Sequence, residues 1–140
     1  MAYIEQLTEI LDRYRADIDT LEKNKKPTDG LLGFGKKPGD DACHQILDQQ
    51  VGALLAQLAE DVGSAEAGPV VRRIFDLGVD EESWPSYAHW ALIALQRHTL
   101  PLIPRLTAEE AAALSAAFDR LYPRRMRMPI QVQIAKAFKR

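Results

Sequence analysis

The sequence IEQLTEILDRYRADIDTL, residues 4–21, carries the clearest structural pattern in the chain. Its apolar residues recur in steps of three and four, at Ile4, Leu7, Leu11, Tyr14, Ile18 and Leu21. This spacing places them on one stripe of an α-helix, which Tyr3 and Ile10 widen. The pattern therefore predicts a helix from about residue 2 to residue 24.

The same stripe has two interpretations. It covers three heptads, the lower limit for predicting a dimeric coiled coil. With Ile4 as position a, Asp17 and Glu22 occupy the flanking g and e positions, where they would repel each other across a parallel dimer. We therefore favour a helix that packs within its own domain and keep self-association as the alternative.

Apolar residues recur at helical spacing in further stretches, which predict helices over about residues 40–62, 69–77, 83–99 and 107–122. The helix over 83–99 is apolar almost all round in its middle, which is typical of a central helix. The helix over 40–62 is expected to bury a stripe of Leu47, Val51, Leu54, Leu55, Leu58 and Val62.

Local signals define the second half of the chain. Thr107 and Glu110 have the spacing of a capping box at the start of a helix. Pro101 and Pro104 predict a turn or irregular link over residues 99–106. Residues 130–138 repeat apolar side chains at every fourth position, which favours a helix, although residues 130–134 also alternate as a strand would.

Length and composition suit one domain, residues 1–140, and the helical periodicities predict that it is all-α, an antiparallel bundle-like fold of five to six helices. The single Cys43 fits a reducing compartment. The first ten residues lack the pattern of a signal peptide, and the longest apolar run, residues 91–95, is far shorter than the roughly 20 residues of a membrane span. We therefore expect a soluble, cytoplasmic protein without a membrane segment.

Charge is distributed unevenly along the chain. Residues 119–140 contain one acid and seven bases, whereas residues 1–118 have a net charge of −8. The basic segment 123–140 either contacts a partner or closes against the domain's own acidic surface, and we favour the second. Nucleic-acid binding is not expected, because the isoelectric point is about 5.9 and no known DNA-binding spacing is present. The candidates for contacting a partner are Arg124, Arg125 and Arg127.

Residues 25–39, KKPTDGLLGFGKKPG, are predicted to form a loop. Residues 30–36 match most of a phosphate-binding loop, but Lys37 stands where a Ser or Thr must bind Mg²⁺, so nucleotide hydrolysis is not predicted. The loop can still hold an anion near the next helix N-terminus, using Gly33, Gly35, Lys36 and Lys37. Its apolar side chains either pack on the core or contact a partner, and they are Leu31, Leu32 and Phe34.

His44 and Asp48 are four residues apart and share one helix face, which predicts an intrahelical pair or, alternatively, a ligand site. Cys43 projects about 100° away from His44, so one helix does not assemble a metal-binding set. Nine residues separate His89 and His98, which places them on opposite sides of their helix. No metal and no cofactor are predicted.

Aromatic residues cluster between positions 84 and 90, where Trp84 and His89 are the candidates for a ligand pocket, together with Tyr87 and Trp90. Aromatic side chains at the start of a central helix are more often part of the core, and we favour that interpretation.

Two hypotheses about function remain. The favoured one is a non-enzymatic helical domain that binds another protein or itself. The alternative is a small-molecule or anion-binding domain, or an enzyme, that uses residues 30–39, His44 and residues 84–90. No residue is assigned a catalytic role, because acid–base pairs are recognised by reach, which a sequence does not give. An apolar stripe exposed on the first helix would favour the first hypothesis, and a shared pocket would favour the second.

Overall fold

The computed structural model of this chain describes residues 2–23, 38–77 and 83–139, without the side chains of residues 38–41, 86 and 87. Within these ranges the chain forms no strand. Its six α-helices are α1 (Tyr3–Lys23), α2 (Pro38–Glu60), α3 (Ala67–Leu77), α4 (Ser86–Ala94), α5 (Ala108–Leu121) and α6 (Pro129–Phe138). An 11-residue 3-10 helix, Leu95–Arg105, follows α4 directly, and we call it the 3-10 segment. The predicted all-α, bundle-like fold is confirmed.

The apolar stripe of α1 is covered by the rest of the domain. Helix α1 packs mainly against α2 and also touches α3. The central residues of the stripe are buried, and they are Leu7, Leu11, Tyr14 and Ile18. Because this surface is already used inside the molecule, α1 is a member of the bundle rather than an exposed coiled-coil arm.

Helix α2 buries most of its predicted stripe, but the prediction that Val62 is buried was wrong. The buried residues are Leu47, Val51, Leu54, Leu55 and Leu58. Val62 is 82% exposed, because α2 ends at Glu60 and Val62 lies in the turn that follows.

Arg105, the last residue of the 3-10 segment, caps the carboxyl end of α2. The final carbonyls of a helix have no partner within the helix and need donors from elsewhere. The Arg105 guanidinium donates to three backbone oxygens in or just after the last turn, those of Leu58, Asp61 and Ser64.

The stretch predicted as an irregular link is a helix at the centre of the domain. The prediction over residues 99–106 was wrong because the chain continues past Ala94 in tighter 3-10 turns. Pro101 and Pro104 each lack a backbone donor, which disfavours a regular α-helix there. The 3-10 segment packs against α2, α3, α4 and α6, so it occupies the central position expected for α4. Its buried residues are Leu95, Gln96, Thr99, Leu102 and Ile103.

The predicted capping box and the predicted last helix both form. The backbone N–H of Glu110 donates to Oγ1 of Thr107 at 3.1 Å, and the N–H of Thr107 donates to Oε1 of Glu110 at 3.0 Å, so the capping box is confirmed. The last segment is the helix α6 rather than a strand. A partly buried contact ties this region to the centre, since Nε2 of Gln96 donates to Oη of Tyr122 at 3.0 Å. Burial raises the pKa of Tyr122, and the Gln96 hydrogen bond lowers it by less.

Candidate functional site

A groove runs along the surface between α2 and the junction of α4 with the 3-10 segment. Its volume is about 420 Å³, within the range of about 300–1,000 Å³ usual for small-molecule sites. The wall from α2 consists of His44, Gln45, Asp48 and Gln49. The opposite wall consists of Trp90, Ala91, Ala94 and Arg97. We call this the α2–α4 groove.

Asp48 forms the polar part of the groove with two residues of the 3-10 segment. Nη2 of Arg97 donates to Oδ2 of Asp48 at 2.5 Å, and Nε2 of His98 lies 2.9 Å from Oδ1. Because an ionised carboxylate only accepts, Nε2 of His98 carries the proton. The Asp48 and Arg97 side chains are about one third and one half exposed, so their pairing contributes only about 0–1 kcal/mol to stability. Its main consequence is that it orients the Arg97 guanidinium at the groove.

Gly52 allows His98 to approach α2. Gly52 lies one helical turn after Asp48, next to the edge of the His98 ring that carries Cε1. A β-carbon at position 52 would lie 2.9 Å from Cε1 of His98, which is closer than a carbon contact permits. A larger residue at position 52 would displace the His98 ring and disturb its hydrogen bond with Asp48.

We expect Gly52→Ala to have different effects with and without the His98 ring. Alanine in a helix interior stabilises by about 0.5–1 kcal/mol over glycine. In the wild-type background the displaced ring offsets this gain, whereas in the His98→Ala background the gain appears in full. Urea unfolding of the four proteins of this double-mutant cycle measures the difference. An equal effect in both backgrounds would mean that Gly52 and His98 do not touch.

Aromatic rings continue from the groove into the core. The rings of Trp90 and His44 pack edge to face with their centroids 4.9 Å apart, and the ring centroid of His44 lies 5.8 Å from that of Tyr14. Tyr14 in turn stacks on Trp84 at 5.7 Å. His44 is only 7% exposed while Trp90 is 54% exposed, so the indole of Trp90 is the part of this row that faces water. A half-exposed tryptophan that lines a groove offers apolar area to a ligand.

The structure brings two of the sequence-predicted candidates, His44 and Asp48, into one groove, but not as the predicted pair. Asp48 hydrogen-bonds to Arg97 and His98 instead. Neither of these residues was expected at the site, because they are 49 and 50 residues from Asp48 and no local pattern connects them.

The predicted aromatic pocket is divided between the core and the groove. Trp84 is buried against Tyr14, with the Arg15 guanidinium 4.5 Å from its ring centroid. Nε2 of His89 lies 3.1 Å from the carbonyl oxygen of Trp84. Neither Trp84 nor His89 lines the α2–α4 groove, whereas Trp90 does; the side chain of Tyr87 is not among the described ones.

Residues 25–37 of the predicted glycine-rich loop lie outside the described part of the chain, whereas residues 38 and 39, predicted as its end, belong to the first turn of α2. The anion-binding candidates there are Gly33, Gly35, Lys36 and Lys37. The partner-binding candidates there are Leu31, Leu32 and Phe34. For these seven residues both hypotheses stay predictions.

The three C-terminal arginine candidates lie in different environments. Arg124 and Arg125 are exposed in a single 3-10 turn before α6. The Arg127 side chain is only 8% exposed, and its Nη2 donates to Oδ1 of Asp119 at 2.5 Å. Its Nε donates to the carbonyl oxygen of Tyr122, and its guanidinium lies 5.0 Å from the ring centroid of Phe118. Arg127 therefore has a role within the fold.

Residues 2–23, 38–77 and 83–139 contain no group of three or more His, Cys, Asp or Glu side chains placed to hold a metal ion. None of the helices they form is both long and apolar enough to cross a membrane.

Comparison of the chain with models of known protein families, with characterised proteins and with solved structures found no match.

Proposed function

We propose that the protein is a small-molecule-binding domain whose ligand occupies the α2–α4 groove. The observation that carries this proposal is the half-exposed Trp90 indole beside the oriented Asp48–Arg97 pair. Small-molecule sites typically combine an apolar or aromatic surface with a few fixed polar groups. The groove has both within about 420 Å³.

The lining residues indicate the chemistry of the ligand. A flat apolar ring packs on the Trp90 indole, and the short side chains of Ala91 and Ala94 leave room for it. Gln45 and Gln49 are exposed amides on the opposite wall and supply both donors and acceptors. The Arg97 guanidinium keeps donors beyond the one used by Asp48, which suit a carboxylate or carbonyl oxygen. We therefore propose a planar aromatic or heteroaromatic compound with an acidic or carbonyl group.

We propose binding rather than catalysis. The Asp48 carboxylate already accepts hydrogen bonds from two side chains, which makes it a poor general base. Self-association through the apolar stripe of α1 loses its support, because that stripe is buried within the domain.

A thermal-shift panel of aromatic carboxylic acids and heteroaromatic carbonyl compounds tests this proposal, followed by calorimetric titration of the hits. We expect Trp90→Ala to weaken binding roughly tenfold or more, because burial of a large apolar side chain contributes about 1.5–3 kcal/mol. We expect Arg97→Ala to weaken binding of the acidic compounds by about tenfold, which corresponds to one charge-assisted hydrogen bond.

Met126→Ala is the matched control, because it removes another exposed apolar side chain that does not line the groove. It should leave affinity unchanged. A panel without any hit, or hits that bind equally well to Trp90→Ala, would overturn the proposal.

A further inference from the structure

A second surface, separate from the groove, lies at the C-terminal end of the described chain. It begins in the 3-10 turn before α6 and continues along α6. Met126 is 71% exposed, Met128 51% and Val132 39%. Exposed apolar side chains that lie close together mark contact surfaces. With the exposed basic residues among them they form what we call the C-terminal stripe, made of Arg124, Arg125, Met126, Met128, Val132 and Lys136.

Helical spacing places three residues of the stripe on one side of α6, and Arg124, Arg125 and Met126 lie in the 3-10 turn just before them. Met128, Val132 and Lys136 follow at intervals of four residues, so they lie on one side of α6. The other side of α6 is buried through Ile134 and Phe138. From residue 120 to residue 140 the sequence contains no acidic residue, so the stripe carries positive charge only.

Acidic residues in the described part of the chain do not neutralise the stripe. Asp119, the nearest acid in sequence, pairs with Arg127. Arg124, Arg125 and Lys136 form no ion pair with any residue of the described ranges. Within the described ranges these three residues therefore do not pair with the domain's own acidic surface, and the expectation for the basic end as a whole stays a prediction.

The complementary surface is the outer face of α1. Glu5, Glu9 and Asp12 are exposed at spacings of four and three residues, so they lie on one side of the helix. They form no ion pair with other residues in the described part of the chain. The turn after α2 lies near the N-terminal end of α1, since Oη of Tyr3 donates to Oδ2 of Asp61 at 2.9 Å. The next residue in that turn, Val62, adds a highly exposed apolar side chain.

We infer that copies of this chain associate head to tail, with the C-terminal stripe of one copy against the acidic outer face of α1 of the next. Opposite charges across such a contact attract and fix its orientation. The two surfaces are different patches of one molecule, so the contact is heterologous and leaves a free surface at each end of a dimer. The association does not involve the α2–α4 groove and is independent of the proposed ligand.

Sedimentation velocity over a range of protein concentrations tests this inference. In about 10 mM salt, where the screening length is about 30 Å, we expect the average mass to rise above the monomer mass of 15.7 kDa as concentration increases. In about 0.15 M salt the screening length falls to about 8 Å, and the rise should be much smaller. A chain that stays monomeric at low salt overturns the inference.

Charge reversal identifies the two surfaces. We expect Arg124→Glu with Arg125→Glu to abolish the increase in mass, and Glu9→Lys with Asp12→Lys to abolish it equally. A mixture of the two double variants should associate again. The first variant then has two acidic surfaces and the second has two basic ones, so each surface of one attracts the matching surface of the other. A variant that only failed to fold could not be rescued in this way, and circular dichroism checks folding independently.

Arg72→Glu with Arg73→Glu is the matched control. Both arginines are exposed on α3, outside the C-terminal stripe and the acidic face of α1, and their reversal changes the net charge by as much as reversal of Arg124 and Arg125 does. This variant should still associate at low salt. Loss of association in the control as well, or a mixture of the two double variants that stays monomeric, overturns the assignment of the surfaces.

Discussion

We expect Phe118→Ala to lower the free energy of unfolding by about 3–5 kcal/mol, the usual cost of removing a buried phenylalanine ring. Phe118 is 1% exposed on α5. Its ring centroid lies 5.9 Å from that of Phe75, 5.1 Å from that of Tyr122 and 6.2 Å from that of Phe138. The variant therefore loses contacts with α3 and α6 at the same time.

Urea unfolding followed by circular dichroism measures this effect. Phe118→Leu is the matched comparison, because it keeps much of the apolar volume and should cost clearly less. Ala116→Gly tests helix propensity alone at an exposed position of α5 and should cost about 1 kcal/mol. If Phe118→Ala cost no more than Ala116→Gly, the aromatic cluster would not be tightly packed.

The second large effect is expected from Arg105→Ala, which should cost about 2–3 kcal/mol. Arg105 donates to the carbonyls of Leu58, Asp61 and Ser64, and hydrogen bonds from charged donors contribute about 1.5–3 kcal/mol where they are shielded from water. Solvent replaces part of this loss, because two of the carbonyls belong to residues at the surface or partly exposed.

Arg105→Lys separates charge from geometry. Lysine keeps the favourable charge at a helix carboxyl end but lacks the planar fork that reaches three carbonyls, so it should recover only part of the stability. Arg73→Ala is the control for loss of an exposed arginine and should change stability by less than about 0.5 kcal/mol. A cost for Arg105→Ala as small as that of Arg73→Ala would contradict the capping role.

Features of the fold that depend on neighbouring residues could be predicted from the sequence. The stripe of α1 and the capping box of Thr107 and Glu110 are set by spacings of three and four residues, and both form as predicted. Helix α6 follows from the same periodicity, because the repeat of Ile130, Ile134 and Phe138 was a stronger indication than a short alternation.

Features that depend on distant residues could not be predicted. Pro101 and Pro104 indicate that an α-helix ends, but only the packing of Leu102 and Ile103 in the centre of the domain explains why the chain continues as a 3-10 helix. Val62 fitted the α2 stripe by spacing alone, yet α2 ends two residues before it.

The candidate site shows the same limit. His44 and Asp48 were identified because they share one face of one helix. Their actual surroundings come from α4 and the 3-10 segment, which approach from far along the chain. The partners Arg97 and His98 look like ordinary polar residues in the sequence, and Gly52 gains its meaning only from the His98 ring above it.

The different positions of Trp84 and Trp90 have an optical consequence. These are the two tryptophans of the chain, and one is shielded in the core while the other is half exposed beside His44. Indole emission shifts to shorter wavelength when water is removed from the ring. Native fluorescence is therefore the sum of a shielded and a solvated emitter, and only the solvated one senses what enters the groove. The protein thus contains an intrinsic fluorescent reporter at its candidate binding site.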